Sequence, residues 1–136
     1  MQQPFKEEFH MDKDITHKTI LVVEDDDSIG SLLVDALSQE TSYTTILVTD
    51  GLQALRVMSS IKPCLVITDY LLPHMDGLEL CDRVRSMTET ADVPTILMSA
   101  HMPEKEVRKR DLVSLPKPFE LDDLLDKIES LMERSA

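Results

Sequence analysis

The sequence TILVVEDDDSIGSLLVDAL at residues 19–37 changes its hydrophobic period partway along. The β-branched and apolar run at residues 19–23 predicts a buried strand that stops at an acidic loop. Apolar residues then recur at helical spacing, which predicts a helix over residues 27–39 with Asp27 or Ser28 as its N-cap. The inward positions of this helix are predicted to be Ile29, Leu32, Leu33, Ala36 and Leu37. The stretch is therefore a strand followed by a helix.

The same alternation continues along the chain. Further strands are predicted at residues 43–48, 64–68, 94–98 and 112–115. Further helices are predicted at residues 51–60, with Leu52, Leu55 and Met58 inward, at 76–87, from Pro103 onward, and at 120–133. Because each parallel crossover needs a helix and is right-handed, this order predicts an α/β fold, a doubly wound five-stranded parallel sheet with helices on both faces. Only three glycines are present, so no glycine-rich phosphate loop is available.

Length and charge limit the classes of function. A chain of 136 residues has the size of one domain. We expect a polar N-terminal lead at residues 1–18, disordered and without the apolar core of a secretory signal, and one domain at residues 19–134. The net charge of −12 argues against direct binding of nucleic acid, and no apolar run is long enough to cross a membrane. A cytoplasmic protein is expected.

The cysteines and histidines show no metal-binding pattern. Cys64 and Cys81 lie in apolar surroundings without the spacing of a metal site, so buried structural thiols are expected rather than a disulfide. The four histidines form neither an HxxxH nor an HExxH pattern. We therefore assign them no metal.

Polar residues stand at the ends of four predicted strands. Glu24 and Asp25 follow the first strand, Asp69 the third, Ser99 the fourth and Lys117 the fifth. Ligands of open α/β sheets bind in the crevice at these carboxyl ends, near the point where the winding reverses. Three carboxylates in one crevice repel each other unless a cation lies among them, and oxygen ligands suit Mg²⁺ or Mn²⁺. The pattern predicts a divalent metal site.

Each of these residues alone has a simpler interpretation. Acidic residues after strands often cap helices, and Lys117 taken alone could be a solvated surface lysine. Their joint placement at strand ends, in a regular α/β alternation, is what favours a chemical site.

Four motifs make the chain recognisable. From about residue 19 to residue 133 the sequence resembles the receiver domains of bacterial response regulators. The motifs are Ile-Leu-Val-Val-Glu24-Asp25-Asp26, Asp69-Tyr-Leu-Leu-Pro73-His-Met-Asp76-Gly77, Pro94-Thr-Ile-Leu-Met-Ser99-Ala100 and Lys117-Pro118-Phe119. The resemblance implies a flavodoxin-like (βα)5 three-layer sandwich with strand order 2-1-3-4-5 and a cis Lys117-Pro118 bond.

The resemblance also implies the roles of the site residues. Asp69 would be the phosphoacceptor, Ser99 the switch hydroxyl and Lys117 the phosphate-pairing lysine. Asp25 and Asp69 would ligate Mg²⁺ or Mn²⁺ directly, Glu24 through water, and Leu71 through its backbone carbonyl. The phosphoryl donor would be a sensor histidine kinase or a histidine phosphotransfer protein. The chain would then catalyse only its own phosphotransfer and dephosphorylation, without being a conventional enzyme.

Two alternatives to this interpretation stay open. One is a pseudo-receiver that binds partners without being phosphorylated, although all five site positions hold competent residues. The other is a metal-dependent phosphatase with an Asp nucleophile, which would need a second Asp two residues further on, where this chain has Leu71.

The segment between Ser99 and Lys117 departs from the family pattern. It is several residues shorter than usual, and Ser114 replaces the family's aromatic on strand five. It also carries a basic patch made of Lys105, Arg108, Lys109 and Arg110, for which a solvated helix end and a docking face for an acidic partner are evenly weighted. The last helix runs almost to Ala136, so if the chain is complete, output through a downstream protein effector rather than through DNA is expected.

Overall fold

The computed structural model describes residues 18–135, so nearly all of the predicted lead lies outside the described part. The strands are β1 (Thr19–Val23), β2 (Thr44–Val48), β3 (Leu65–Asp69), β4 (Thr95–Ser99) and β5 (Val113–Pro116). The helices are α1 (Asp27–Glu40), α2 (Gly51–Met58), α3 (Gly77–Ser86), α4 (Glu104–Lys109) and α5 (Leu121–Ser135). Every predicted element exists, with bounds that agree to within two residues.

The five strands form one parallel sheet in the order β2-β1-β3-β4-β5. The chain passes from β1 to β2 on one side and then returns to β3 on the other side, so the winding reverses between β1 and β3. The predicted doubly wound topology and strand order are confirmed. A crevice therefore opens at the carboxyl ends of β1 and β3.

Side chains of the sheet alternate between two cores. On one face Ile20 and Val22 pack in a cluster with residues of α1 and α5, among them Leu33, Leu37, Leu124 and Ile128. On the other face Leu21 and Val23 pack with residues of α2 and α3, among them Ala54, Met58, Leu80 and Val84. This is the predicted arrangement of a sheet between two layers of helices.

The inward face of α1 differs from the predicted one. Ile29 is 39% exposed and Leu32 is 70% exposed, whereas Gly30, Leu33 and Leu37 are buried. A β-carbon at Gly30 would lie 2.8 Å from the Leu47 side chain, so the missing side chain lets α1 lie directly against the sheet. Glycine does not register in a hydrophobic pattern, which is why the predicted face was rotated.

The inward face of α2 also differs from the predicted one, again because a glycine lies at the contact. Leu52 was wrongly predicted to face inward. Leu52 is 51% exposed, and the buried positions are Gly51, Ala54 and Met58. Two of these positions hold small residues, and a β-carbon at Gly51 would lie 2.8 Å from Sδ of Met75, so the helix lies close to its neighbours there. The N-cap of α1 was also wrongly predicted: it is Asp26, whose carboxylate accepts from the backbone N–H of Ile29 at 3.0 Å.

Both cysteines are free thiols. Cys81 is buried, and its burial raises the pKa of the thiol to about 12. Cys64 is half-buried, and burial also raises the pKa of its thiol. Both thiols are therefore poor nucleophiles at neutral pH. Cys81 is buried as predicted, whereas the prediction that Cys64 is buried was wrong, because this residue is only half-buried. No helix within residues 18–135 is long and apolar enough to cross a membrane.

Candidate functional site

Strand register brings the predicted site residues to one edge of the sheet. Glu24 lies one residue past the end of β1 and comes level with Asp69, the last residue of β3. Ser99 ends β4 one step beyond the partner of Asp69, and Lys117 follows the partner of Ser99 on β5. The pairs that set this register are Val23 with Thr68, Asp69 with Met98, and Ser99 with Pro116. Four strands thus contribute to one crevice.

An ammonium group bridges two of the carboxylates. Nζ of Lys117 lies 3.2 Å from Oε1 of Glu24 and 3.2 Å from Oδ1 of Asp69. Glu24 is 1% exposed and Asp69 is 9% exposed, so both carboxylates are largely removed from water. Charge-assisted hydrogen bonds in such surroundings are stronger than those on a solvated surface. The three side chains therefore form one fixed group.

Burial and mutual charge shift the acid–base properties of this group. Burial raises the pKa of Glu24, and the negative charge of Asp69 raises it further, against the opposing effects of the hydrogen bond from the Asp26 backbone N–H and of Lys117. Burial acts to lower the pKa of Lys117, but Asp69 and Glu24 together outweigh it, and the pKa of Lys117 is raised. The lysine is thus held in its charged form, while the two carboxylates still repel each other.

The site has the ligands for a cation. Oxygen atoms from Glu24, Asp25 and Asp69 lie within 4.8 Å of one another, and Asp25 is exposed to solvent. The backbone carbonyl of Leu71 accepts no hydrogen bond from any residue of the range 18–135, so its oxygen is available. One lysine does not neutralise three carboxylates. The donor set, all oxygen and net negative, fits a hard divalent ion such as Mg²⁺ or Mn²⁺.

The backbone around Asp69 is tightly packed. Its Oδ1 accepts a hydrogen bond from the N–H of Tyr70 at 3.1 Å. The N–H of Gly77, the first residue of α3, donates to the carbonyl of Tyr70 at 2.7 Å. A β-carbon on Gly77 would lie 2.4 Å from the carbonyl oxygen of Asp69. Gly77 therefore permits the close approach of α3 that holds Asp69 in place, a role that the sequence pattern did not reveal.

Ser99 is 2% exposed, and its environment is defined by backbone groups. Its Oγ accepts a hydrogen bond from the N–H of His101 at 3.0 Å, and its carbonyl accepts from the N–H of Lys117 at 2.8 Å. The second contact ties the end of β4 to the residue that bridges the carboxylates. The predicted cis bond between Lys117 and Pro118 is present.

All the predicted site residues thus lie on one edge of the sheet, and sequence reasoning missed two features there. The ion pair between Glu24 and Lys117 was not predicted, because Glu24 had been interpreted through a metal alone. The sequence does contain an indication of this ion pair. Glu24 comes directly after a fully buried strand, and a buried carboxylate needs a cationic partner. The close contact between Gly77 and Asp69 was the other feature.

Comparison with known sequences is consistent with this geometry. The family model described as the response regulator receiver domain matches residues 20–129. The chain is 36% identical over 120 residues to the response regulator MprA of Mycobacterium ulcerans (strain Agy99), a match that covers 85% of this chain and 50% of that relative. The chain thus spans about half the length of the relative.

Solved structures with the same fold include two receiver proteins. The chemotaxis response regulator CheY4 of Vibrio cholerae has a TM-score of 0.77 at 25% identity, covering 85% of this chain and 98% of that structure. The receiver domain of the sensor histidine kinase PA1611 of Pseudomonas aeruginosa PAO1 has a TM-score of 0.76 at 25% identity, covering 86% and 98% respectively. That structure has a magnesium ion coordinated in its active-site cleft.

Proposed function

Because this chain belongs to the family of response regulator receiver domains of two-component signalling, we propose that it accepts a phosphoryl group on Asp69 and signals through protein contacts. The donor is a phosphohistidine on a sensor histidine kinase or on a histidine phosphotransfer protein. The observation that supports this most is the bridge from Lys117 Nζ to Asp69 and Glu24, at 3.2 Å each, beside a third carboxylate.

The proposed reaction is an in-line displacement at phosphorus. An oxygen of the Asp69 carboxylate forms the new bond to phosphorus, the phosphorus–nitrogen bond breaks, and the imidazole nitrogen leaves with the electron pair. Within residues 18–135, Oδ2 of Asp69 has no hydrogen-bond partner, whereas Oδ1 is engaged by Lys117 and by Tyr70 N–H. We assign the attack to Oδ2.

The surrounding residues hold charge during transfer. Lys117 is already placed against Asp69, so its ammonium can pair with a phosphoryl oxygen with little rearrangement. Asp25 and Asp69 would hold the metal directly, Glu24 through water, and Leu71 through its carbonyl. When bound, a divalent ion offsets the repulsion among the carboxylates and stabilises the charge on the transferred group.

Ser99 carries the response to phosphorylation in this proposal. Its hydroxyl can donate a hydrogen bond to a phosphoryl oxygen while its backbone stays tied to Lys117. Such a local charge change shifts the equilibrium between two conformations of the protein surface, and a downstream effector protein binds one of them more tightly. Water later attacks the acylphosphate, and the free Asp69 carboxylate is restored.

The test is phosphoryl addition from a small donor. The whole chain is incubated with Mg²⁺ and acetyl phosphate, and its intact mass is measured. We expect one added phosphoryl group on the unmodified chain, none on Asp69→Ala, and none after chelation of the metal. Asp27→Ala serves as the matched control, since Asp27 is an exposed neighbour of the acidic group at the start of α1. This variant should be phosphorylated normally.

Two outcomes would overturn the proposal. Addition that persists in Asp69→Ala would place the acceptor elsewhere. No addition with acetyl phosphate, together with no binding of beryllium fluoride, would instead indicate a binding module that keeps the acidic crevice without its chemistry.

A further inference from the structure

A groove runs along the edge of the sheet where the strands begin, opposite the acidic crevice. Its larger part is a cavity of about 540 Å³ between the end of α1, the start of β2 and the C-terminal half of α5. Its smaller part lies beside the residues that precede β3 and β4. The side chain of Met132 on α5 lines both parts, so they form one amino-edge groove.

The floor of the amino-edge groove is an incompletely covered part of a core. Tyr43, Cys64, Leu125 and Met132 pack against the cluster that Ile20 and Val22 share with α1 and α5, and each of these four side chains is only partly buried. Apolar side chains that are gathered on one concave surface gain free energy when another apolar group covers them. The groove therefore fits an apolar occupant.

Acidic side chains border the larger part of the groove. Glu40, Glu129 and Glu133 line it, and all three are exposed. Within residues 18–135 none of these carboxylates belongs to an ion pair. Glu129 and Glu133 are four residues apart on α5, a spacing at which like charges destabilise a helix. A cation beside them would relieve this repulsion, so the groove fits an occupant that is basic as well as apolar.

The chain enters the sheet at this groove. The backbone carbonyl of Lys18 accepts a hydrogen bond from the N–H of Thr44, the neighbour of Tyr43, at 2.9 Å. The carbonyl of Thr19 accepts from the N–H of Cys64 at 2.9 Å and from its Sγ at 3.3 Å. Tyr43 lines the larger part of the groove and Cys64 the smaller part. The segment that precedes Lys18 is therefore joined to the protein between the two parts.

The sequence of residues 1–17 has the chemistry that the groove requires. It contains two of the three phenylalanines of the chain, Phe5 and Phe9, and they are followed by Lys6 and His10 respectively. A segment that is tethered beside its binding surface has a high effective concentration, so a few weak contacts suffice to hold it. Its polar composition, which favours disorder for the segment alone, leaves the two aromatic side chains available for such contacts.

We propose that residues 1–17 bind the amino-edge groove of their own chain, with Phe5 and Phe9 against its apolar floor and Lys6 beside its glutamates. This binding lies at the edge of the sheet opposite Asp69 and does not depend on phosphoryl transfer. Phosphorylation from acetyl phosphate is measured separately on the same variants, so failure of the proposed function and failure of this inference are distinguishable.

Met132 is the reporter of binding because its side chain lines both parts of the groove. The full chain is labelled with carbon-13 at its methionine methyl groups, and the spectrum of the unmodified chain is compared with that of Phe5→Ser/Phe9→Ser. An aromatic ring shifts the resonance of a methyl group that it contacts. We expect the Met132 resonance to move in the variant, while the resonance of the fully buried Met98 stays in place and verifies the fold.

The reaction of Cys64 with N-ethylmaleimide measures how far the groove is covered. Modification of Cys64 and of the buried Cys81 is followed by peptide mass spectrometry. A segment that covers Cys64 about nine-tenths of the time slows its reaction about tenfold. Phe5→Ser/Phe9→Ser should therefore react about tenfold faster at Cys64 and unchanged at Cys81. Gln2→Ser/Gln3→Ser is the matched control, since it changes two polar residues of the same segment, and it should behave like the unmodified chain.

The remaining outcomes decide between occupants. A shift of Met132 without a faster reaction at Cys64 would support the inference and limit the bound segment to the larger part of the groove. An unchanged Met132 resonance in Phe5→Ser/Phe9→Ser would overturn the inference and leave the groove to another protein. A Met132 shift that fades when the unmodified chain is diluted would also overturn it, because the occupant would then be the segment of a second copy.

Discussion

At the scale of single residues, Gly77 is the position where we expect a small substitution to be most damaging. The carbonyl oxygen of Asp69 would lie 2.4 Å from a β-carbon at this position, and that contact is with backbone rather than with a flexible side chain. For Gly77→Ala we expect the free energy of unfolding to fall by about 1–3 kcal/mol, as for other overpacked sites. Phosphorylation from acetyl phosphate should also slow, because Asp69 must move. Urea denaturation and the rate of mass increase measure the two effects.

Gly30→Ala is the matched control. Its β-carbon would meet the end of the Leu47 side chain, which can rotate away, and alanine is favoured over glycine within a helix by about 0.5–1 kcal/mol. We expect stability close to that of the unmodified chain and an unchanged phosphorylation rate. Equal behaviour of the two variants would contradict the positioning role of Gly77.

The common location of the predicted site residues could be inferred from sequence, whereas their roles stay predictions. Asp69, Ser99 and Lys117 were identified because a polar residue directly after an apolar strand stands out, and parallel strands end at a common edge. The packing roles of the glycines were missed, because glycine has no side chain that would contribute to a hydrophobic pattern. Whether Gly30 or Gly77 lies against a side chain or a carbonyl depends on distances that the sequence does not contain.

At the scale of elements, α4 depends on the ion pairs that Arg110 forms with Asp82 on α3 and with Glu106. The helix has six residues, and Val107 is its one buried residue. Arg110→Met should therefore lower the free energy of unfolding by about 1 kcal/mol, the upper part of the range for ion pairs at a protein surface. It should also speed amide hydrogen exchange within residues 104–109. The control is Arg83→Met, which breaks an exposed pair with Glu79 at 3.2 Å and should cost about 0.5 kcal/mol or less.

Acid should erase the difference between Arg110→Met and the unmodified chain. The hydrogen bond from Arg110 holds the pKa of Asp82 below its ordinary value. A lowered folded-state pKa contributes stability that is complete above the ordinary carboxyl pKa of about 4 and is lost as the pH falls through the folded value. Unfolding measured from pH 7 downward should show the two curves converge below about pH 4. A difference that is constant with pH would exclude the ion pairs as its cause.

The helices and strands were predictable from sequence because the hydrophobic period of each segment agrees with the element that it forms. Each strand is a short apolar run and each helix has a regular period, so the order of elements follows from the alternation. The contact that holds α4 against α3 was not predictable from the sequence. The sequence shows four cations in a row of six residues, and only the neighbouring Asp82 on α3 separates Arg110 from the other three.

At the scale of the whole molecule, occupation of the acidic crevice should stabilise the entire fold. If Mg²⁺ binds the folded chain alone, Mg²⁺ at 100 times its Kd raises the free energy of unfolding by about 2.7 kcal/mol. We expect Asp25→Asn to remove this gain and to be more stable than the unmodified chain without Mg²⁺, because one of three clustered carboxylates becomes neutral. Thermal or urea unfolding with and without Mg²⁺ measures both effects.

Asp27→Asn is the comparison for that experiment. Asp27 is an exposed acidic residue two positions from Asp25, at the start of α1. It should keep the full gain from Mg²⁺. A loss of the gain in both variants would point to diffuse attraction between Mg²⁺ and an acidic surface rather than to a defined site.

The separation of the two edges of the sheet has a practical consequence for protein engineering. Every proposed site residue lies at the carboxyl edge, while the turns after α2 and α3 return the chain to the opposite edge. Ser59, Ser60 and Glu89 in those turns are exposed. A fluorescent protein spliced into either turn would leave the crevice intact. The turns after α2 and α3 are thus the places where a second protein can be inserted without altering the proposed site.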